Sequence, residues 1–269
     1  MAVSRNQLVF CLVALCWLLL AASGGVAAEA DTYGCLACHG VHDPAQPDCV
    51  WCHGGNPASE RGEIAHHRLI AARFASFRDP QSPQVLGGEQ QVKSLGCRRC
   101  HTIGGEGNRL ATDLDQLAPR VTPERREQAL ESPVLFMPNF HLGAADRATL
   151  VTYLLAAQLK VKASATPPKI VHFSASGATE RVFDKQCGAC HQLLSARWGA
   201  LGHGNLAPNL SGLLSPFYPT PPKKDASWTE KSLRDWLKNP RSFRPKALMP
   251  PVVLSAEEAS ELLKEFAKE

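Results

Sequence analysis

Residues 90–101 read QQVKSLGCRRCH, and residues 179–191 read TERVFDKQCGACH. Each is a short stretch of helical character that runs straight into Cys-x-x-Cys-His. The same ending occurs twice more, as CLACH at 35–39 and CVWCH at 49–53. The chain holds 10 cysteines and 10 histidines in 269 residues. Eight cysteines fall in these four pairs: Cys35 and Cys38, Cys49 and Cys52, Cys97 and Cys100, Cys187 and Cys190. Each pair is followed at once by a histidine, namely His39, His53, His101 or His191. At that histidine content, four such placements are not chance.

Cys-x-x-Cys-His is the attachment signature of c-type haem. Two thiols add to the two vinyl groups on one edge of the macrocycle, while the adjacent imidazole reaches the iron from one face. The sequence therefore predicts four covalently bound haem c groups, each with its iron. Structural zinc closes on four ligands, and only the first two pairs stand near enough in sequence to share an ion. A disulfide framework is the other reading of eight cysteines in an exported chain, and it leaves the histidines without a reason.

Export is itself a reading of the N-terminus. Arg5 precedes an apolar run from Leu8 to Ala22, and small residues follow in ASGGVAAEA, residues 22–30. This is the form of a secretory signal peptide over 1–30. The apolar run is about fifteen residues, short of the roughly twenty that a membrane span needs. An uncleaved leader serving as an anchor is the alternative. Cleavage removes Cys11 and Cys16, so no thiol outside the four motifs remains. Covalent haem is attached after export, which predicts a periplasmic protein, with the cell exterior or the periplasmic side of a membrane as alternatives. The formal net charge of +4 gives no reason to expect nucleic acid.

Downstream of the leader the chain divides into a small module at 31–88, a domain at 89–160, a linker at 161–174 and a domain at 175–269. The breaker RDPQSPQVLGGE, residues 78–89, closes the first module. The 89–160 and 175–269 domains share one plan and form a divergent repeat: helix, haem motif, middle helix, Met-Pro turn, closing helix. In the first copy the middle helix starts at Thr122 with Pro123 in its first turn, a favoured entry. In the second, SWTEKSLRDWLKNP (227–240) offers Ser227 and Glu230 as a capping box, with Pro240 after the helix end. The closing helices are AADRATLVTYLLAAQL (144–159) and SAEEASELLKEFAKE (255–269), the latter with Ser255 and Glu258 as its box. Leu150 with Leu154, and Leu262 with Phe266, recur at helical spacing and face the core. No alternating strand pattern is present, so the expected fold is all-α.

Besides Met1 the chain has two methionines. Met137 stands in VLFMPNF and Met249 in KALMPPVV, at equivalent places in the two copies. Methionine is usually core filler, but here the repeat points to iron ligands opposite His101 and His191. On these features, each copy resembles a class I mono-haem cytochrome c domain. The resemblance implies a helical fold with the distal methionine in a loop and a C-terminal helix crossing the first. It also implies that Pro208, in LAPNLSGL, holds its carbonyl beside the proximal His191. NRLATDLDQL (108–117), in the first copy, has no proline at that place.

The 31–88 module has no methionine. Its sixth ligands are sought among His42, His66 and His67. His66 and His67 are neighbours pointing about 100° apart on a helix, so both cannot bind one iron; either one of them is a ligand or the two serve different haems, and solvated surface is the other reading. His42 lies too close after His39 to cap the same iron and would reach the other. By its motifs this loop-rich module resembles bis-histidine multihaem cytochromes. His141, His172 and His203 read as surface or loop histidines.

Closed coordination on every iron predicts an electron carrier with no catalytic residues, relaying electrons between redox proteins. A membrane quinol oxidoreductase or a terminal reductase is a fitting partner, and contact with a membrane would come through such a complex or through the leader. Two alternatives stand beside this: a reductase or peroxidase with one open N-terminal haem, and a haem subunit of a membrane oxidoreductase or an extracellular electron-transfer assembly.

Overall fold

A computed structural model describes residues 34–46, 48–117, 121–162, 181–219 and 226–267. The leader, with Cys11 and Cys16, lies outside the described residues, as do His172 and all but the first two positions of the expected linker. The chain resolves into two compact units. One holds the first motif and Gly55–His67; the other holds Asp48–Gly54, with the second motif, and Arg68 onward.

In the first unit a tight 3-10 turn at Gly34–Ala37 carries the first thiol. One helical turn, at Gly62–Ala65, precedes the paired histidines. The amide of Asn56 donates to the Ala65 carbonyl at 2.8 Å and ties the two ends of that segment together.

The second unit begins with α1, Cys49–His53, which is the second motif itself, capped by the Asp48 side chain accepting from the Val50 amide. Counting the short helix of the first unit as α2, the next is α3, Pro83–Leu95. It starts inside the stretch expected to act as a breaker. Ser82 accepts from the Val85 amide at 3.2 Å and Pro83 sits in the first turn, so the proline opens a helix here and does not end one. Gly87 and Gly88 then fall in its interior. Gly88 is needed there because a Cβ would sit 2.4 Å from Tyr153 Cβ on the closing helix.

That closing helix, α5, is Ala144–Leu159, as expected. Eight successive residues from Leu150 to Ala157 are buried. A helix buried all round is core, and its neighbours here are α3, the 3-10 segment Ala72–Arg78 and α4, Pro123–Glu131. Phe74, Val92, Leu150 and Val151 lie at its centre. Thr122 caps α4 through the Arg125 amide. Burying each large apolar side chain contributes about 1.5–3 kcal/mol.

The second copy repeats the scheme with shorter parts. Helix α6, Val182–Gln186, precedes the fourth motif, and α9, Ala256–Phe266, closes the fold. Phe183 and Phe266 meet edge to face at 5.9 Å where the two helices cross. The Ser255–Glu258 box forms as expected. The Ser227–Glu230 box does not. Helix α7 is Glu230–Lys238, and Thr229 exchanges hydrogen bonds with Ser232. The buried Trp228 is anchored in the core ahead of the helix, so the cap moves two residues downstream. Pro240 opens one further turn, α8, Pro240–Phe243.

Among the described residues the fold is largely helical, but a short sheet departs from the all-α expectation. β1, Leu193–Ser195, and β2, Gly199–Leu201, pair antiparallel with Leu193 opposite Leu201. Three-residue strands are too short to show alternation. Leu193, Leu194 and Ser195 are buried in succession, which hides the period further.

Candidate haem-binding site

In Cys-x-x-Cys-His the three side chains stand at i, i+3 and i+4, which share one face of a helical turn. The structure gives the motifs that turn. The histidine amide donates to the first cysteine's carbonyl in three of them: His39 to Cys35 at 3.0 Å, His101 to Cys97 at 3.1 Å and His191 to Cys187 at 2.9 Å. In the second motif all five residues are α1 itself.

The imidazoles are aimed from behind. Nδ1 of His53 lies 3.1 Å from the Ile70 carbonyl, that of His101 2.7 Å from Thr112 and that of His191 2.7 Å from Pro208. A carbonyl only accepts, so Nδ1 carries the proton and Nε2 keeps its lone pair for a metal. Burial lowers the His101 pKa and favours the same neutral ring.

Pro208 thus occupies the place implied by the resemblance, and Thr112 is its counterpart. The Ala111 amide caps the Cys100 carbonyl just before Thr112, and the Ala207 amide caps the Cys190 carbonyl just before Pro208. A backbone carbonyl has no sequence signature, which is why Thr112 and Ile70 were not legible.

Cys97, Cys100 and Cys187 lie in apolar surroundings. Cys100 packs with Leu110 and Leu194, with Phe136 against them. Cys187 and Met249 pack against the same cluster as Phe183, Leu237 and Leu262. Met249 and Cys187 thus border one apolar cluster, and Phe136, the neighbour of Met137, borders the cluster that holds Cys100. Burial pushes the Cys97 thiol up to about 11 and the Cys187 thiol up to about 12, and it raises Cys100 as well. The Cys97 and Cys187 thiols are therefore protonated at neutral pH. Among the described residues, no group of three or more His, Cys, Asp or Glu is arranged to hold a metal ion.

Met249 is also held by a donor: the Trp236 indole N–H reaches its sulfur at 3.0 Å. In the first unit His66 ends the short helix with its ring 5.9 Å from that of His39, tilted by 50°. His42 and His67 are exposed, as are Cys38 and Cys190, while Cys35, Cys49 and Cys52 are half-buried. His141, at a left-handed φ of 52°, and His203 lie exposed in loops. Paired thiols, an adjacent imidazole oriented through Nδ1 and an apolar bed together fit the edge of a haem.

A stretch of this chain is similar to cytochrome c2 from Afifella marina, with 36% identity over 72 residues, 24% of this chain and 58% of that protein. The chain thus spans a little over half the length of that relative. No family model and no solved structure matches it. That likeness agrees with the largely helical fold of the described residues. No helix among the described residues is long and apolar enough to cross a membrane.

Proposed function

We propose that this chain is an exported tetrahaem c-type cytochrome that relays electrons between redox partners in the periplasm. The observation that carries the reading is the shared geometry behind the motifs: His53, His101 and His191 each turn Nδ1 to a backbone carbonyl and leave Nε2 as the ring's one donor to iron. Once attached, haem supplies a one-electron iron couple whose potential follows its axial ligands over a span of about 0.8 V.

Two ligand classes divide the chain. Met137 and Met249 serve opposite His101 and His191, and thioether ligation raises the potential. His66 serves opposite His39. Two imidazoles sharing one ion through bonds of about 2 Å hold their ring centres roughly 6 Å apart, and the observed 5.9 Å supports that pairing. His67 and His42 are the further candidates for a sixth ligand in the N-terminal module. Electrons then run from the N-terminal haem pair to the C-terminal haems. A redox protein, such as a membrane quinol oxidoreductase or a terminal reductase, stands at one end.

The test is the mass of the mature exported protein, followed by potentiometry. Four attached haems, with two midpoints well above the other two, are expected. Fewer than four groups, or zinc in place of any, overturns the count; reversed midpoints overturn the direction.

A further inference from the structure

The five residues Pro208–Gly212 do more than hold His191. The Pro208 carbonyl faces His191 Nδ1 at 2.7 Å. The next carbonyl, of Asn209, accepts from the first repeat: Arg99 of the third motif donates to it at 3.0 Å across 110 positions of sequence. The Tyr218 hydroxyl donates to the same oxygen at 3.1 Å. Arg99 is a charged residue only 8% exposed, so this carbonyl is a partner that the guanidinium requires. Gly212, at φ 68°, lies so close to the Arg99 carbonyl that a Cβ would stand 2.4 Å from it.

The Asn209 side chain completes the bridge. Its Oδ1 accepts from the Ser211 amide at 2.9 Å, which orients the amide, and its Nδ2 donates to the Phe136 carbonyl at 3.0 Å. Phe136 is a non-glycine residue in the left-handed region, at φ 68°. A bulky residue holds that conformation only where its surroundings fix it. Met137 follows it directly.

We propose that Asn209 is a positioning residue shared by the two C-terminal haem sites: its main chain braces the His191 side of one, and its side chain clamps the strained peptide that presents Met137 to the other. This rests on Met137 being an iron ligand, as proposed above. Without the Nδ2 donor, Phe136 relaxes toward a negative φ and Met137 becomes easier to displace. A buried hydrogen bond lost together with backbone strain changes that equilibrium roughly tenfold.

The test uses the full chain with its haems attached and Met249→Ala as the parent, so that the long-wavelength sulfur-to-iron charge-transfer band reports Met137 alone. Added imidazole competes for the iron at fixed pH. Asn209→Ala should need roughly tenfold less imidazole to lose half of the band, and the midpoint of that haem should fall. Asn209→Asp keeps the Ser211 contact and the side-chain volume but sets an acceptor against the Phe136 carbonyl, and it should be displaced more easily still. Gly88→Ala, which disturbs the helix crossing in the same repeat, should lower the melting temperature and leave the imidazole half-point in place. Half-points for both Asn209 variants within twofold of the parent overturn the positioning role. A band that survives Met137→Ala in the parent removes the ligand assignment beneath it, a result separate from the first.

Discussion

The imidazole of His66 lies 5.9 Å from that of His39, although 26 residues separate them in sequence. The two belong to the same compact unit, where the Asn56–Ala65 hydrogen bond closes the loop that carries His66. Replacing His66 by Ala should therefore open one iron and leave the haem attached. Low-temperature electron paramagnetic resonance should show one low-spin signal converted to high spin, and the reduced variant should bind one equivalent of carbon monoxide. His67→Ala should change a different signal. Identical spectra for the two variants would count against separate roles.

Trp236 offers a test at the other end of the chain. Its indole donates to the Met249 sulfur, while its ring packs edge to face on Trp228 at 5.6 Å and Phe243 at 6.0 Å. Trp236→Phe keeps the packing and removes the donor. A hydrogen bond draws electron density from the thioether, which favours ferrous iron. Its loss should lower that haem's midpoint by roughly 20–60 mV, the equivalent of one ordinary hydrogen bond for a one-electron couple. Potentiometric titration reads this directly.

Glu265 caps a helix that has no cap of its own. Arg181 offers no side-chain bond to α6, and the Glu265 carboxyl on α9 accepts from the Val182 and Phe183 amides at 3.1 and 2.9 Å. Glu265→Ala strands one buried and one partly buried donor and should cost about 1–3 kcal/mol in denaturant melts.

The same carboxyl gives a pH dependence. Burial raises its pKa in the folded chain above the ordinary value of 4.5, ahead of the opposing pull of the two amides. Between 4.5 and that higher value the folded state holds more protons than the unfolded state. Its contribution to stability is thus largest below 4.5 and falls as pH rises through the folded value. Glu265→Gln should flatten that slope, seen in melts taken between pH 4 and 8.

The crossing of α3 and α5 tolerates no side chain at Gly88, because the Thr149 carbonyl would stand 2.6 Å from a Cβ and the Tyr153 Cβ nearer still. Gly88→Ala should destabilise the protein by about 1–3 kcal/mol, the usual cost of overpacking, measured as a shift of the denaturation midpoint. A gain from replacing a helical glycine would mean that the helices separate freely.

Much of the helical framework was legible because it is written in side chains. Thr122 with Pro123, Ser255 with Glu258, and the apolar run of α5 all announce themselves by residue type and spacing. The cap at Thr229 was misplaced because Ser227 and Glu230 satisfy the same local rule, and only the burial of Trp228 decides between them. The strands Leu193–Ser195 and Gly199–Leu201 are shorter than any period. Within the site, the motifs are unmistakable in sequence and the resemblance points to Pro208, but Ile70 and Thr112 contribute carbonyls, which every residue has. By residue type Arg99 and Asn209 are ordinary polar residues in a motif and a loop. Their partnership is tertiary and leaves no local trace.

Arg99 also sets a limit on dissection. A fragment ending before Val182 would keep the third motif and its methionine but lose the Asn209 carbonyl that receives the guanidinium. The same cut removes Tyr218 and Gly212, which pack on Arg99, so the guanidinium would turn to solvent in the excised piece. Spectra of such a fragment would then describe a molecule that the intact chain does not contain, and the third and fourth motifs are better compared by substitution within the whole protein.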